Sequence, residues 1–206
     1  MDANMIPKRT LKRLPIYLHY LRSLPEEVAH ISATTMAKNL ELGDVQVRKD
    51  LAFVSKTGRQ KIGHSKQMLI EDIEKCLHLN NQTGAVVVGV GNLGQALLEY
   101  GGFSKFGIHV LAGFDIEPLG KSLKTEKPVC AMNRLRAFCN TYAVGIGIIT
   151  VPADSAQAVC DVLVDCGVKA IWNFAPVQLK VPEDVVVHNE NLAVSLTLLR
   201  MDFLKM

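Results

Sequence analysis

The hydrophobic pattern changes character partway along the chain. Up to about residue 79, apolar residues recur three and four apart. From Leu14 through Tyr17, Leu18 and Leu21 this spacing predicts a helix over Arg13–Leu24. Pro15 falls in its expected first turn, where a missing N–H costs little, and Pro25 stops it. Ser32 or Thr34 can cap a second helix with Met36, Ala37 and Leu40 inward. Gly43 breaks the chain, and Asp44 can cap a third helix, VQVRKDLAFV. The polar stretch SKTGRQKIGHSK reads as a hairpin, and a fourth helix is expected from about Gln67 to Leu79.

After the polar break Asn80–Gly84 the pattern becomes alternation of strand and helix. AVVVGV, GIHVLAGFD, VGIGIITVPA, KAIWNF and DVVVH read as strands. Helices are expected at Asn92–Tyr100, Asn133–Thr141 and Asp154–Cys166, the last capped by Asp154. Such runs of Val and Ile predict a parallel sheet covered on both faces. The end, NLAVSLTLLRMDFLKM, reads as a broadly apolar helix. The fold class is α/β: a winged helix-turn-helix module over 1–80, a Rossmann-like parallel-sheet domain over 81–189, and a C-terminal helix over 190–206.

Charge sharpens this division. Residues 1–68 carry 12 Lys+Arg against 6 Asp+Glu, and the remaining 138 carry 11 against 14. A basic module on a mildly acidic one suits a polyanionic partner, although a merely solvated basic surface would read the same. Two short helices around Gly43, the second bearing Arg48 and Lys49, form a helix-turn-helix pattern. Lys56, Arg59, Lys61 and Lys66 of the hairpin are candidate contacts to the phosphate backbone, and Arg13 is a further DNA-binding candidate. With 49% hydrophobic and 21% charged residues the chain is expected to be globular. No apolar run approaches the roughly 20 residues of a membrane span, and the first residues lack a secretory pattern. The five cysteines form no Cys-x-x-Cys, so reduced thiols, a cytoplasmic location and no metal site are expected.

The chemistry concentrates in VGVGNLG. Gly89, Gly91 and Gly94, with Val90, Asn92 and Leu93 between them, follow a strand and open a helix. The first glycine permits the tight turn, the second lets backbone approach a pyrophosphate, and the third lets helix and strand pack closely. Asp115 ends the next strand, 21 residues after Gly94, where a carboxylate can accept from both adenine-ribose hydroxyls. The absence of a neighbouring Arg favours NAD(H) over NADP(H). Thr150, Val151 and Pro152, and Asn173, Phe174, Ala175 and Pro176, end later strands at the same edge. They are candidates for the nicotinamide half, with ordinary packing as the plainer reading for Phe174 and Pro152.

Catalysis is not evident. There is no Tyr-x-x-x-Lys pair, His109 lies within a strand, and no carboxylate partner for His188 is apparent. A cofactor site without an acid–base constellation can report cofactor state by differential binding. A small NAD-dependent oxidoreductase with a helical cap, and a CoA- or nucleotide-binding assembly subunit, are the alternatives.

KRLPIYL at 12–18, VRKDLAF at 47–53, VGVGNLG at 88–94, GFD at 113–115, ITVPA at 149–153 and NFAP at 173–176 together resemble the Rex family of redox-sensing transcriptional repressors. The resemblance runs from about Pro7 to near the C-terminus. It implies a homodimer with a domain-swapped last helix, binding double-stranded DNA at an A·T-rich palindromic operator with TTGTGA-like halves, read by the helix near Gln46, Arg48 and Lys49 and released by NADH. The hairpin departs from the family pattern at Phe53-Val54-Ser55, Lys61 and His64. In the family an Arg of the first helix, a Tyr after the glycine helix and an Asp opening the partner's swapped helix exchange contacts with redox state. The matching positions here are His19, Tyr100 and Asn191. The charge-assisted part of that contact is lost, so coupling is expected to be weakened or rebuilt, unless these positions vary without consequence.

Overall fold

The computed structural model describes residues 6–55, 63–118 and 127–205. The chain divides into two compact units, Met1–Asn81 and Gln82–Met206.

In the first unit, α1 (Lys8–Ser23) starts five residues before the expected Arg13, with Pro7 at its N-cap. Pro15 therefore lies inside the helix rather than in its first turn. The apolar period hides this start because inward positions of the early turns are the polar Thr10 and Arg13, both bonded to Asp50. Of the two candidate caps for α2 (Ala33–Asn39), Ser32 serves, its Oγ accepting from Thr35 N–H at 3.0 Å. Asp44 is not the cap of α3 (Asp44–Val54); Gly43 is, and Asp44 instead pairs with Arg48 at 3.0 Å. Phe53 and Val54 belong to α3, as the expected helix VQVRKDLAFV had them. β1 (His30–Ile31) and β2 (His64–Ser65) form a two-stranded antiparallel ribbon, and Ser65 caps α4 (Lys66–Cys76). Leu14, Tyr17, Leu18, Leu21, Met36, Val47, Leu51, Leu69 and Ile73 form the core, with Leu40 only half-buried.

The second unit holds β3 (Thr83–Val88), α5 (Asn92–Glu99), β4 (Ile108–Asp115), β5 (Val129–Ala131), α6 (Leu135–Thr141), β6 (Val144–Ile149), α7 (Ala153–Asp165), β7 (Ala170–Asn173), β8 (Val186–Asn189) and α8 (Leu192–Phe203). A 3-10 turn spans Gly101–Phe106, and another, Met132–Arg134, leads into α6. The six strands are parallel in the order β5-β4-β3-β6-β7-β8. Strand order therefore reverses between β3 and β6, which opens a crevice at their carboxyl ends. The three-residue edge strand β5 went unrecognised in the sequence because it is too short to show a period. Pro152, not Asp154, caps α7; Asp154 lies in the first turn, where its charge suits the helix dipole.

One sheet face packs Val86, Val88, Ala112, Phe114 and Ile149 against Leu135 of α6 and Ala156, Cys160 and Leu163 of α7. The other packs Ala85, Val87, Val110 and Ile148 against Leu98 of α5, with Phe103 beside them. The expected cover on both faces is incomplete within one chain. Ile146, Ile148, Trp172 and Val186 line an open apolar hollow of about 350 Å³. α8 buries none of its side chains, and Leu192, Leu196, Leu198, Leu199 and Phe203 are each more than 60% exposed. The last helix therefore does not close the sheet that its own chain leaves open. Among the described residues no helix is long and apolar enough to cross a membrane.

Candidate dinucleotide and nucleic-acid sites

The glycine turn sits at the reversal of strand order. Gly89 adopts φ +91°, a left-handed conformation that disfavours other residues, and a Cβ there would lie 2.7 Å from Val151 Cγ1. A Cβ on Gly94 would lie 1.9 Å from the Gly89 carbonyl oxygen, so only glycine lets α5 begin against the turn. A Cβ on Gly91 would meet nothing within 4 Å. The first and third glycines are thus demanded by the protein's own packing, while the second faces open space where a ligand's phosphates can approach backbone. Asn92 and Leu93 are exposed at the start of α5.

Asp115 is tied into the turn. Its Oδ2 accepts from Val90 N–H at 2.6 Å and its Oδ1 from Glu117 N–H at 3.1 Å. Each oxygen keeps a further lone pair for a ribose hydroxyl. Thr150 Oγ donates to the Gly89 carbonyl at 2.5 Å and pins the turn to β6. Gly89, Gly91, Asp115, Thr150, Val151 and Pro152 come together around one cavity of about 420 Å³. Val88, Ile116, Met132, Ser155 and Val159 complete its lining and were not anticipated. Met132 directly follows the unrecognised β5, whereas Ser155 and Val159 lie on the pocket-facing side of α7, where helical spacing from Pro152 could have found them.

The Asn173–Pro176 corner is placed differently. None of its four residues lines that cavity. Asn173 is fully buried, its Nδ2 donating to Ala175 O at 3.1 Å, Val177 O at 2.9 Å and Asn189 Oδ1 at 2.9 Å. Its Oδ1 accepts from Ala175 N–H at 3.0 Å. Its amide is therefore spent on shaping the corner. Phe174 is half-buried against Trp172, ring centroids 4.6 Å apart.

In the first unit, Gln46, Arg48 and Lys49 are exposed on α3. A shallow depression is lined by Gln46, Lys49, Arg13, Asp50, Arg9 and Phe53, among others. Arg48 donates to Thr34 at 3.0 Å besides pairing with Asp44, which holds it across α2 and α3. Arg13 places Nε 2.6 Å and Nη2 2.7 Å from the two oxygens of Asp50, leaving three guanidinium N–H groups for another partner. Tyr17 and Thr10 also donate to Asp50, at 2.7 and 2.8 Å. Burial alone would raise the Asp50 carboxyl, but the Arg13, Tyr17 and Thr10 bonds outweigh it and hold the group below its ordinary range. Burial, with Asp50 beside it, pushes the Tyr17 phenol up to about 12. Asp50 was missed as a site residue; a carboxylate between apolar Val47 and Leu51 on an inward face was the available signal. Lys56, Arg59 and Lys61 lie outside the described residues.

His19, Tyr100 and Asn191 are all exposed. The Tyr100 ring packs edge-on against Phe103, centroids 4.8 Å apart. Asn191 caps α8, its Oδ1 accepting from Val194 N–H at 3.0 Å. His188 does have a carboxylate partner, Glu190, at 3.1 Å, which alternation along one strand placed on the same face. His188 lines the apolar hollow, and neither residue lines the glycine-turn cavity. Among the described residues no His, Cys, Asp and Glu group has metal-site geometry.

Comparison with known proteins finds matches along both units. Residues 80–177 match the CoA binding domain family, and residues 5–52 match a family described as putative DNA-binding protein N-terminus. A redox-sensing transcriptional repressor Rex of Bacteroides fragilis is 36% identical, the match covering 98% of this chain and 94% of the relative. One of Caldicellulosiruptor bescii is 40% identical, over 92% and 88%. Among solved structures, RSP in complex with β-NAD+ and operator DNA superposes with a TM-score of 0.88 at 33% identity, covering 97% of this chain and 93% of that one. RSP in complex with β-NADH superposes with a TM-score of 0.84 at 33% identity, over 97% and 94%. The chain belongs to the Rex family of redox-sensing transcriptional repressors.

Proposed function

We propose that this protein is a DNA-binding transcriptional repressor that senses the NADH/NAD+ balance and leaves a palindromic A·T-rich operator when NADH binds. The observation that carries this is the glycine turn with Asp115, a dinucleotide cradle in a chain whose other unit exposes Gln46, Arg48 and Lys49. NAD(H) fits the residues present. Gly91 leaves room for phosphates at the N-terminus of α5, and Asp115 offers acceptors to a ribose diol. The Thr150–Pro152 edge borders the remainder of the dinucleotide. Asn173, Phe174, Ala175 and Pro176 act from the neighbouring corner, where Asn173 sets the backbone. Bound NAD+ and NADH differ by one charge and by ring planarity, which is what a sensor must distinguish.

The domains follow the same division: 1–80 reads DNA, 81–189 binds NAD(H) and 190–206 joins two copies. The exposed apolar α8 and the uncovered hollow on the sheet suit a homodimer in which each last helix packs on its partner. Arg13, Gln46, Arg48 and Lys49, with Lys56, Arg59 and Lys61, make the contacts to DNA, and the protein works in the cytoplasm beside it. The oxidoreductase reading is weaker, because neither His188 nor Glu190 lines the cofactor cavity.

The test is anisotropy of labelled duplex with TTGTGA-type half-sites, titrated with protein alone, with NAD+ and with NADH. Salt-dependent binding to the palindrome over scrambled duplex, weakened by NADH, supports the reading. Equal affinity for scrambled duplex refutes DNA reading. Because His19 and Asn191 stand where the family carries charges, release by NADH should be shallower than in a relative with the Arg and Asp. Restoring both by His19→Arg with Asn191→Asp should sharpen it.

A further inference from the structure

Arg48 is held in place by the protein itself. It stands on α3, on the flank that meets α2. Its Nη2 donates to Thr34 Oγ1 at 3.0 Å, and its Nε lies 3.0 Å from Asp44 Oδ2. Both anchors fall on the edge of the guanidinium that carries Nε and Nη2. The end of the group, where a hydrogen of Nη1 lies beside the second hydrogen of Nη2, keeps its two parallel donors. The side chain stays 63% exposed, so this fork can be reached from solvent. Exposed pairs of this kind add little to stability, and Asp44 Oδ1 is buried without a hydrogen-bond partner. The fold therefore gains little from the arrangement. What it does fix is the direction of a fork whose ordering would otherwise be a cost of binding.

We propose that Thr34 and Asp44 are positioning residues that aim the free Arg48 fork at O6 and N7 of one guanine in each half of the operator. This rests on the DNA-reading function proposed above. The two guanine atoms are adjacent acceptors on the major-groove edge, and a guanidinium fork matches both. Adenine keeps N7 but presents an amino donor where guanine has O6, which leaves one Arg48 N–H facing a donor. Lys49, the next residue, carries a point charge without a fork and suits phosphate. Thr34 thereby joins the reading surface from α2, although it touches no base in this arrangement.

The test uses the full chain and a duplex that it selects from a random-sequence pool. Each guanine of that duplex is replaced in turn by 7-deazaguanine, which lacks the N7 acceptor. One replacement per half-site should weaken binding by about tenfold. In Arg48→Ala the same replacement should cost nothing further. In Thr34→Val and in Asp44→Asn the penalty should shrink to about threefold or less, with circular dichroism and melting temperature unchanged. A merely structural tie between α2 and α3 would do the reverse, lowering the melting temperature and leaving the full penalty. A penalty that persists in Arg48→Ala, or a duplex with no sensitive guanine, overturns guanine reading by Arg48 and leaves the repressor reading standing. A full penalty in both Thr34→Val and Asp44→Asn overturns the positioning. Failure to select any duplex overturns this proposal and the repressor reading together.

Discussion

Asp50→Asn tests what holds α3 in place against α1. Each Asp50 oxygen accepts two donors: Arg13 Nη2 at 2.7 Å and Thr10 at 2.8 Å on Oδ1, Arg13 Nε at 2.6 Å and Tyr17 at 2.7 Å on Oδ2. An amide has the same shape but replaces one acceptor by an NH₂. Whichever way it faces, one hydroxyl can rotate to accept from it, but one Arg13 N–H loses its acceptor. Arg13 also loses its counter-charge. Removing one partner of a buried pair costs about 3–5 kcal/mol. The Arg13 side chain keeps 22% exposure, so water recovers part and the lower end, about 3 kcal/mol, is expected. For a unit of roughly 80 residues that is a melting shift on the order of 12–24 °C. Calorimetry on the full chain should show the first unit's transition falling by this amount, operator affinity falling with it, and NADH affinity unchanged. Acid supplies the sign. The folded carboxyl is held below its ordinary 3.8, so its contribution is complete above that pH and fades as pH falls through the lower folded value. Wild type and Asp50→Asn should therefore converge in strong acid. A variant within about 0.5 kcal/mol of wild type at pH 7 would refute the argument, since that is the range of ordinary surface substitutions.

Three further outcomes separate the parts of the molecule. Gly94→Ala puts a Cβ 1.9 Å from the Gly89 oxygen, so α5 must shift; NADH affinity by calorimetric titration should fall at least tenfold while operator binding without cofactor persists. Lys49→Ala should weaken operator and scrambled duplex alike and reduce the salt slope of log affinity by about 1. Leu196→Asp, on the exposed apolar α8, should leave circular dichroism intact and shift the dimer to monomer in sedimentation, with loss of palindrome binding.

Much of this was legible because the decisive signals were local. VGVGNLG following a Val run carries its own mechanism, and Ser32 caps α2 by an oxygen three residues from the amide it accepts. What escaped depended on partners distant in sequence. The start of α1 was hidden because Thr10 and Arg13 point inward to Asp50, 40 and 37 residues away. β5 has three residues and gains its identity only from pairing with β4, which left Met132 off the cavity's lining. The uncovered half of the sheet could not be foreseen either, because apolar periodicity shows that α8 has an apolar surface but not which chain it covers.

That same helix clarifies what Asn191 does. Its side chain caps α8, and an Asp would cap as well and add a favourable charge at the helix N-terminus. Local stability therefore gives no advantage to the amide over the acid. His19 is likewise exposed on α1 and contributes nothing to the core. Both differences from the family pattern act on charge and leave the fold alone. A charge-assisted hydrogen bond is roughly twice as strong as a neutral one, a difference on the order of 1 kcal/mol. Exchanging it in one of two states shifts their ratio by about fivefold per protomer, and a symmetric dimer applies the factor twice. On the proposed reading, His19 and Asn191 would reduce how far NADH shifts the equilibrium away from the DNA-bound state, while the glycine turn and Asp115 keep the dinucleotide cradle.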